Sequence, residues 1–421
     1  MAARLEPMTA TSPLPAEGTH RAPAQGWRGV WTSGRARVWL AAAAVAAWLP
    51  VLGMPLRGWL DFSAFYAAGQ LSFSPALTDL ASVARLQAEQ GLPITPFVYP
   101  AGLALLYAPL SALPYGVAAF LHLALMLGLL LAAAVIGADM LGLGRRWAVL
   151  GTLAWAPAAA GILSGQNTSA ALLLVVVAAW ALAGHREGLA GVATGLLAYK
   201  PQLAAPLLGL LLLRARWRAL IVAAGVMVLH WGAGVVATGG RLDWPAPWLA
   251  AIEAYQEADF LANGWQAVSL PALGMRLQLT TGLPALALAG YLIGAVVVVA
   301  CLPAMRRLPI LDAVALAAAC GLLVSPHAWV YDATLLLPAL GILAARAARR
   351  GWPWRDRWWL ALAYGIALTW PLGGFVGFTL VPLLVLAAPF ALLERGLFGR
   401  RPAVPAAGQQ PPSAAPVLPV A

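Results

Sequence analysis

Eight residues carry the chemistry that this chain can offer: Asp61, Tyr99, Gln166, Asn167, Lys200, His327, Tyr331 and Asp332. Asp61 supplies a carboxylate able to take a proton from a hydroxyl, a role that typically contributes about 10²–10⁴-fold in rate. Lys200 and His327 can stabilise negative charge as it develops. The amides of Gln166 and Asn167 and the phenols of Tyr99 and Tyr331 add hydrogen-bonding groups. Each has a plainer use as well. Asp61 could cap a helix starting at Phe62, and Asp332 could cap another. Gln166 and Asn167 could be turn residues, His327 a loop histidine, and Lys200 could snorkel to a membrane surface. Glu257 and Asp259 suggest a metal pair. Trp244, Trp248, Tyr255, Phe260 and Trp265 interleave with them, however, and this reads as the wet face of an amphipathic interfacial helix.

Other chemistry is excluded at once. Lys200 is the only lysine beside 25 arginines, and Pro201 follows it. No Gly-Lys-Ser/Thr phosphate loop exists, so the chain is not itself an ATP-driven motor. Cys301 and Cys320 both lie in apolar stretches and do not resemble a metal site.

The elements that must position these groups are membrane helices. Of 421 residues, 62% are hydrophobic and 10% charged, where a soluble domain carries about 25% charged residues. Mean hydropathy is +0.81. A soluble fold of this size could not hide that much apolar surface, and disordered, fibrous and disulfide-rich classes are excluded too. A span needs about 20 residues. The apolar runs predict about ten, at 38–56, 115–141, 147–163, 168–183, 219–237, 284–302, 310–325, 333–347, 357–372 and 376–393. Residues 188–199 and 203–213 are each too short to cross, and they flank Tyr199-Lys200-Pro201-Gln202, which predicts a re-entrant hairpin or broken helix. Residues 97–113 are also short and bounded by proline, and read as re-entrant or interfacial. Residues 1–37 and 402–421 read as a disordered arm and tail. The remainder, 38–401, is one all-α polytopic membrane domain, with outer loops at 57–98 and 241–268.

The formal net charge of +11 first raises nucleic acid as a partner, but the position of the charges gives another explanation. With the N-terminus inside, 21 arginines fall on the inner side and four (Arg57, Arg85, Arg241, Arg276) outside. That is a positive-inside signal. It predicts cytoplasmic termini, no nucleic-acid partner, and a polar cluster near the outer membrane surface.

Four stretches in order then carry a likeness. They are Asp61-Phe62-Ser63-Ala64-Phe65-Tyr66-Ala67-Ala68-Gly69; Phe97-Val98-Tyr99-Pro100 leading into Leu106-Tyr107-Ala108-Pro109-Leu110; Gly165-Gln166-Asn167 followed by Tyr199-Lys200-Pro201-Gln202; and Ser325-Pro326-His327 through Tyr331-Asp332. As an ordered set over roughly 38–345, they resemble glycosyltransferase family 87, polyprenol-phosphate-mannose-dependent mannosyltransferases of bacterial membranes. The chain has Ala101 where the family pattern has a second proline. The resemblance implies a GT-C-like fold in the bacterial cytoplasmic (inner) membrane with an extracytoplasmic site. It implies a polyprenol-phosphate sugar donor, a glycolipid or glycan acceptor, and inverting transfer with the first-loop aspartate, Asp61, as base. Phosphate leaves as a stable anion, so the second carboxylic acid of a glycosidase can be replaced by electrostatic stabilisation. Under this scheme His327 and Lys200 meet the phosphate, Gln166, Asn167, Tyr99, Tyr331 and Asp332 hold sugar or phosphate, and no metal or other cofactor is required. Two rivals share these features. A transporter or lipid flippase would place its polar groups near the bilayer midplane, and a related enzyme could use another polyprenol-phosphate sugar such as arabinose.

Overall fold

A computed structural model describes residues 34–49 and 61–397. The expected arm and tail lie outside these residues, except that helix α1 (Gly34–Trp48) begins four residues inside the arm. The described chain is helical throughout. It contains no strand among the described residues, only an isolated bridge between Ala267 and Trp329.

The expected outer loop at 57–98 is itself folded where it is described. It forms α2 (Phe62–Gln70), a 3-10 turn at Pro75–Thr78 and α3 (Leu80–Glu89). Asp79 starts α3 by accepting the backbone N–H groups of Ala81 and Ser82, donors that a helix leaves unpaired in its first turn. A 3-10 turn at Ala101–Leu103 then runs into α4 (Ala104–Ser111). Together they extend about 17 Å, roughly half the hydrocarbon thickness, so this piece is too short to cross.

The spans follow. α5 (Tyr115–Leu141) is a full-length span. The single span expected at 147–163 is instead broken into α6 (Arg145–Leu153) and α7 (Ala156–Leu163). Pro157 sits in the first turn of α7, where its missing N–H and fixed φ favour a new start over continuation. Trp155 fills the break, fully buried, with its indole N–H donating to the Ala333 carbonyl at 3.0 Å. α8 (Thr168–Ala183) and α9 (Glu187–Leu196) lead through a 3-10 turn at Leu197–Tyr199 to α10 (Pro201–Leu213) and α11 (Trp217–Ala237). α12 (Pro245–Asn263), a turn at Gly264–Gln266 and α13 (Leu270–Thr281) occupy the second expected outer loop and beyond. The chain ends with α14 (Ala285–Arg307), α15 (Ile310–Val324), a 3-10 stretch at Val330–Leu336, α16 (Leu337–Arg349), α17 (Trp354–Leu368), a turn at Trp370–Leu372, α18 (Gly373–Val376) and α19 (Val381–Leu397).

Among the described residues, five runs are both long and apolar enough to cross: Tyr115–Leu141, Trp217–Ala237, Ala285–Arg307, Val330–Arg349 and Trp354–Val376. Other expected spans, including Thr168–Ala183 and Ile310–Val324, are shorter apolar helices. α15 shows why short is tolerated: Ala313 through Leu323 are buried against protein, so the helix need not match the bilayer thickness. The all-α polytopic class stands.

Small residues set the close approaches. Gly191 and Gly195 on α9 face Ala219 and Ala223 on α11. A Cβ at Gly195 would stand 2.6 Å from the Val226 Cβ and 2.9 Å from the Ala223 carbonyl oxygen. This small-xxx-small pairing lets backbones approach where no hydrophobic driving force separates helix from lipid. It also fixes the hairpin that carries Lys200. At the opposite helix ends the arginines tie neighbours together. Arg214 donates to the Met305 and Leu308 carbonyls, Arg216 pairs with Glu187 at 2.9 Å, and Arg346 pairs with Asp312. The two ends of the bundle are thus chemically distinct. Gly195→Leu is expected to cost about 1–3 kcal/mol by overpacking, read as a lowered thermal midpoint of the purified protein. An unchanged midpoint would mean that α9 and α11 do not depend on this contact.

Candidate active site

Lys200 stands at the tip of the α9–α10 hairpin, between the Leu197–Tyr199 turn and Pro201, and is 4% exposed. Pro201 opens α10 with its φ already suited to a first helical turn. The Lys200 ammonium donates to Asp332 Oδ1 at 3.1 Å and lies 3.5 Å from Thr168 Oγ1. It also faces the rings of Tyr331 and Tyr99, at 5.4 and 5.8 Å, within cation–π range. Asp332 is held from its other side, where Oδ2 accepts the Trp329 backbone N–H at 3.1 Å. Asp332 therefore appears first as the partner of Lys200, and its capping role is real as well. The snorkelling alternative for Lys200 fails, because its charged end is buried.

Asp61 reaches the site through the turn after α7. Gly165 has φ +75°, and a Cβ there would fall 2.7–2.9 Å from Phe62 atoms. Glycine thus permits the Gly165 turn to lie against the start of α2. The Asp61 N–H donates to the Ser164 carbonyl at 3.0 Å. Gln166 Nε2 donates to Asp61 Oδ2 at 2.9 Å, and the Tyr99 hydroxyl donates to Gln166 Oε1 at 2.7 Å. The Asp61 side chain makes no cap bond to α2. Its carboxyl is pushed up to about 6, first by burial; Gln166, Lys200 and His327 oppose that shift and Asp259 adds to it. His122, which composition alone gave no reason to single out, supports the same turn: Nε2 donates to the Gly165 carbonyl at 3.0 Å and the ring stacks on Phe62 at 4.9 Å. Asn167 is buried beside Tyr107 without a side-chain hydrogen bond of normal geometry. Its carbonyl accepts the Tyr199 hydroxyl at 2.9 Å.

His327 is placed by loop bonds and by a carboxylate from α12. The Val268 N–H donates to the Ala328 carbonyl at 3.0 Å, and Ser325 Oγ donates to the His327 carbonyl at 2.8 Å. His327 Nε2 lies 2.7 Å from Asp259 Oδ2, and Asp259 Oδ1 accepts from Asn263 Nδ2 at 2.8 Å and from the Tyr255 hydroxyl at 3.4 Å. The wet-face reading of Glu257 and Asp259 is thereby corrected. Glu257 is exposed and Asp259 is buried, because two positions along a helix turn a side chain by about 200°. They do not converge as a metal pair. The spacing of Tyr255, Asp259 and Asn263 by fours was the available signal for an inward polar stripe.

These groups meet around a cavity of about 310 Å³, lined by Tyr99, Lys200, Tyr255, Asp259, His327, Tyr331 and Asp332 among others. Asp61, Gln166 and Asn167 are not on its wall; Asp61 connects to it through Gln166 and Tyr99. A larger cavity of about 860 Å³ lies between α1, α5, α6, α16 and α17, walled by residues such as Leu40, Ala133, Leu340 and Leu368. It lacks the convergent charged groups that mark the smaller one. The smaller cavity combines a cation, an imidazole with its own carboxylate, and a raised carboxyl behind a tyrosine. Such a set can hold a phosphate and receive a proton.

The sequence model described as glycosyltransferase family 87 matches residues 97–326, more than half of the chain. No curated protein and no solved structure matches it. The matched range includes Tyr99, Gln166, Asn167, Lys200 and Asp259, and leaves out Asp61, His327, Tyr331 and Asp332.

The Lys200–Asp332 pair gives a direct expectation. Lys200→Ala strands a buried carboxylate and is expected to cost about 3–5 kcal/mol, read as thermal unfolding of the purified protein. Lys200→Ala combined with Asp332→Ala recovers part of that loss. A double variant with the summed cost of both single ones would show that the two charges are not coupled.

Proposed function

The chain belongs to glycosyltransferase family 87 and is a membrane glycosyltransferase, and from that premise we propose that it transfers mannose, with inversion, from a polyprenol-phosphate donor to a cell-envelope glycolipid or glycan. The site faces the extracytoplasmic side of the bacterial inner membrane, and Asp61 is the base. The observation that carries this reading is geometric: Gln166 links the buried Asp61 carboxyl to Tyr99, which lines the same cavity as Lys200 and His327, and burial pushes that carboxyl up to about 6. A base works best when its pKa lies near the operating pH.

The acceptor oxygen bonds to the anomeric carbon as the bond from that carbon to the phosphate oxygen breaks. The hydroxyl proton moves to Asp61, and polyprenol phosphate leaves with the electron pair. Lys200 and His327 stabilise the leaving anion. In accepting the phosphate, Lys200 exchanges or shares its bond to Asp332. Tyr99 and Tyr331 are left to hold sugar hydroxyls, with Gln166 orienting Asp61. Asn167 acts through the Tyr199 bond that fixes the hairpin.

One observation favours a second assignment of the base: His327 and Asp259 line the cavity, and Asp61 does not. Labelled polyprenol-phosphate mannose supplied to membranes separates the two. Asp61→Asn is expected to lose about 10²–10⁴-fold in kcat at unchanged protein level. Near-full activity in that variant, with loss in His327→Ala, would move the base to His327. Parallel reactions with the arabinose and glucose donors, followed by mass analysis of the product lipid, test the sugar. Labelled arabinose or glucose in the product, with no mannose transfer, would overturn it.

A pH profile tests the same base. A base must be deprotonated, so kcat/KM should rise with pH and level off above about 6. Gln166→Ala removes a donor that favours the carboxylate and should move this limb to higher pH. Asp259→Asn removes a nearby negative charge and should move it lower. A limb that neither variant moves belongs to a group other than Asp61.

A further inference from the structure

Outside the catalytic cavity, two buried donor atoms without acceptors among the described residues lie in one neighbourhood: Nη1 of the half-buried Arg276 on α13 and the indole Nε1 of Trp370. Trp370 stacks flat on Trp265, with ring centroids 6.3 Å apart and an interplanar angle of 5°. Beside Trp265, a Cβ on Gly264 would stand 3.2 Å from Arg276 Cγ. From the other side, Arg276 Nη2 lies 3.7 Å from where a Cβ on Gly377 would stand. Gly377 has φ +83°, which requires glycine and keeps that wall bare. Among the described residues, burial is what lowers the Arg276 pKa, with no charged neighbour acting on it.

A buried guanidinium N–H without an acceptor is costly, and such groups in native folds call for a ligand or other partner. A planar guanidinium matches a phosphate with two parallel bonds, and the indole N–H in the same neighbourhood is a further donor. The surroundings identify the kind of phosphate. Phe375 is 90% exposed, Val376 61% and Phe378 55%, and Leu277 on α13 is exposed as well. A skirt of apolar side chains beside a cation suits a headgroup that carries acyl chains. The pair lies near the catalytic cavity along the chain, because Gly264, which packs against Arg276, follows the cavity-lining Asp259 by five residues.

We propose that Arg276 and Trp370 form a site for the phosphate of an anionic membrane phospholipid, separate from the catalytic cavity. The site does not depend on the assignment of donor, sugar or base.

The test uses the full chain, purified and placed in phosphatidylcholine bilayers doped with phosphatidylglycerol, with lipid retention read by native mass spectrometry. The wild type should retain phosphatidylglycerol over phosphatidylcholine. Arg276→Gln should retain about tenfold less, and Arg276→Lys should fall between, since it keeps the charge and loses the fork. Trp370→Phe keeps the ring stack and removes only the N–H, so a partial loss there shows the second donor at work even if the arginine variants fold poorly. Inorganic phosphate is the control arm. If millimolar phosphate displaces the lipid completely, the site reads a free phosphate and the lipid assignment fails. Equal phosphatidylglycerol retention by wild type, Arg276→Gln and Trp370→Phe would overturn the site altogether.

Discussion

Lys200 and Asp332 face each other at 3.1 Å with about 5% of each side chain exposed. Neither charge would survive there alone: the cost of taking an ion out of water is met only by a partner with good geometry and by further hydrogen bonds. Both conditions are satisfied. Thr168 and the two tyrosine rings surround the ammonium, and the Trp329 N–H completes the carboxylate. The contact joins the α9–α10 hairpin to the 3-10 stretch before α16, elements 132 positions apart in sequence. Much of the polar end of the bundle is arranged to make that junction possible, including the glycine contacts that seat α9 on α11.

A second carboxylate system sits beside it on different terms. Among the described residues the Asp61 carboxylate has one hydrogen-bond donor, Gln166, and its burial disfavours its charge. Asp259 has a histidine, an asparagine and a tyrosine. Three aspartates therefore share one field, and their surroundings divide them: Asp332 pairs with a lysine, Asp259 bonds an imidazole, and burial raises the Asp61 carboxyl toward neutrality. Differentiation of like groups by environment is how a site obtains an acid or base without a new residue type.

The cleft around Arg276 obeys the same electrostatics with the opposite outcome. There a guanidinium nitrogen is buried and, among the described residues, no group accepts from it. In the candidate site nearly every buried charge has a partner of its own; beside Arg276 the proposed lipid phosphate would take that place.

The sequence determined the class and the broken hairpin, and it singled out most of the residues of the candidate site. Composition and apolar run length require membrane helices, because no soluble fold could bury so much apolar surface. The shortness of 188–199 and 203–213 around Lys200 required an interruption, since neither piece can cross. Residue type and order were enough to single out Asp61, Gln166, Lys200, His327 and Asp332, because polar side chains are conspicuous in a chain with 10% charged residues. Contacts were not legible. Asp259 looked like one of several solvated acids on an amphipathic helix, and only the rotation of α12 against the His327 loop turns it inward. The break at Trp155 and the support from His122 were hidden for the same reason, as each depends on what packs opposite. Which carboxylate pairs with Lys200 and which is left with a raised proton affinity was decided by tertiary structure alone, because desolvation and Coulomb energy depend on distances between segments that the order of residues does not specify.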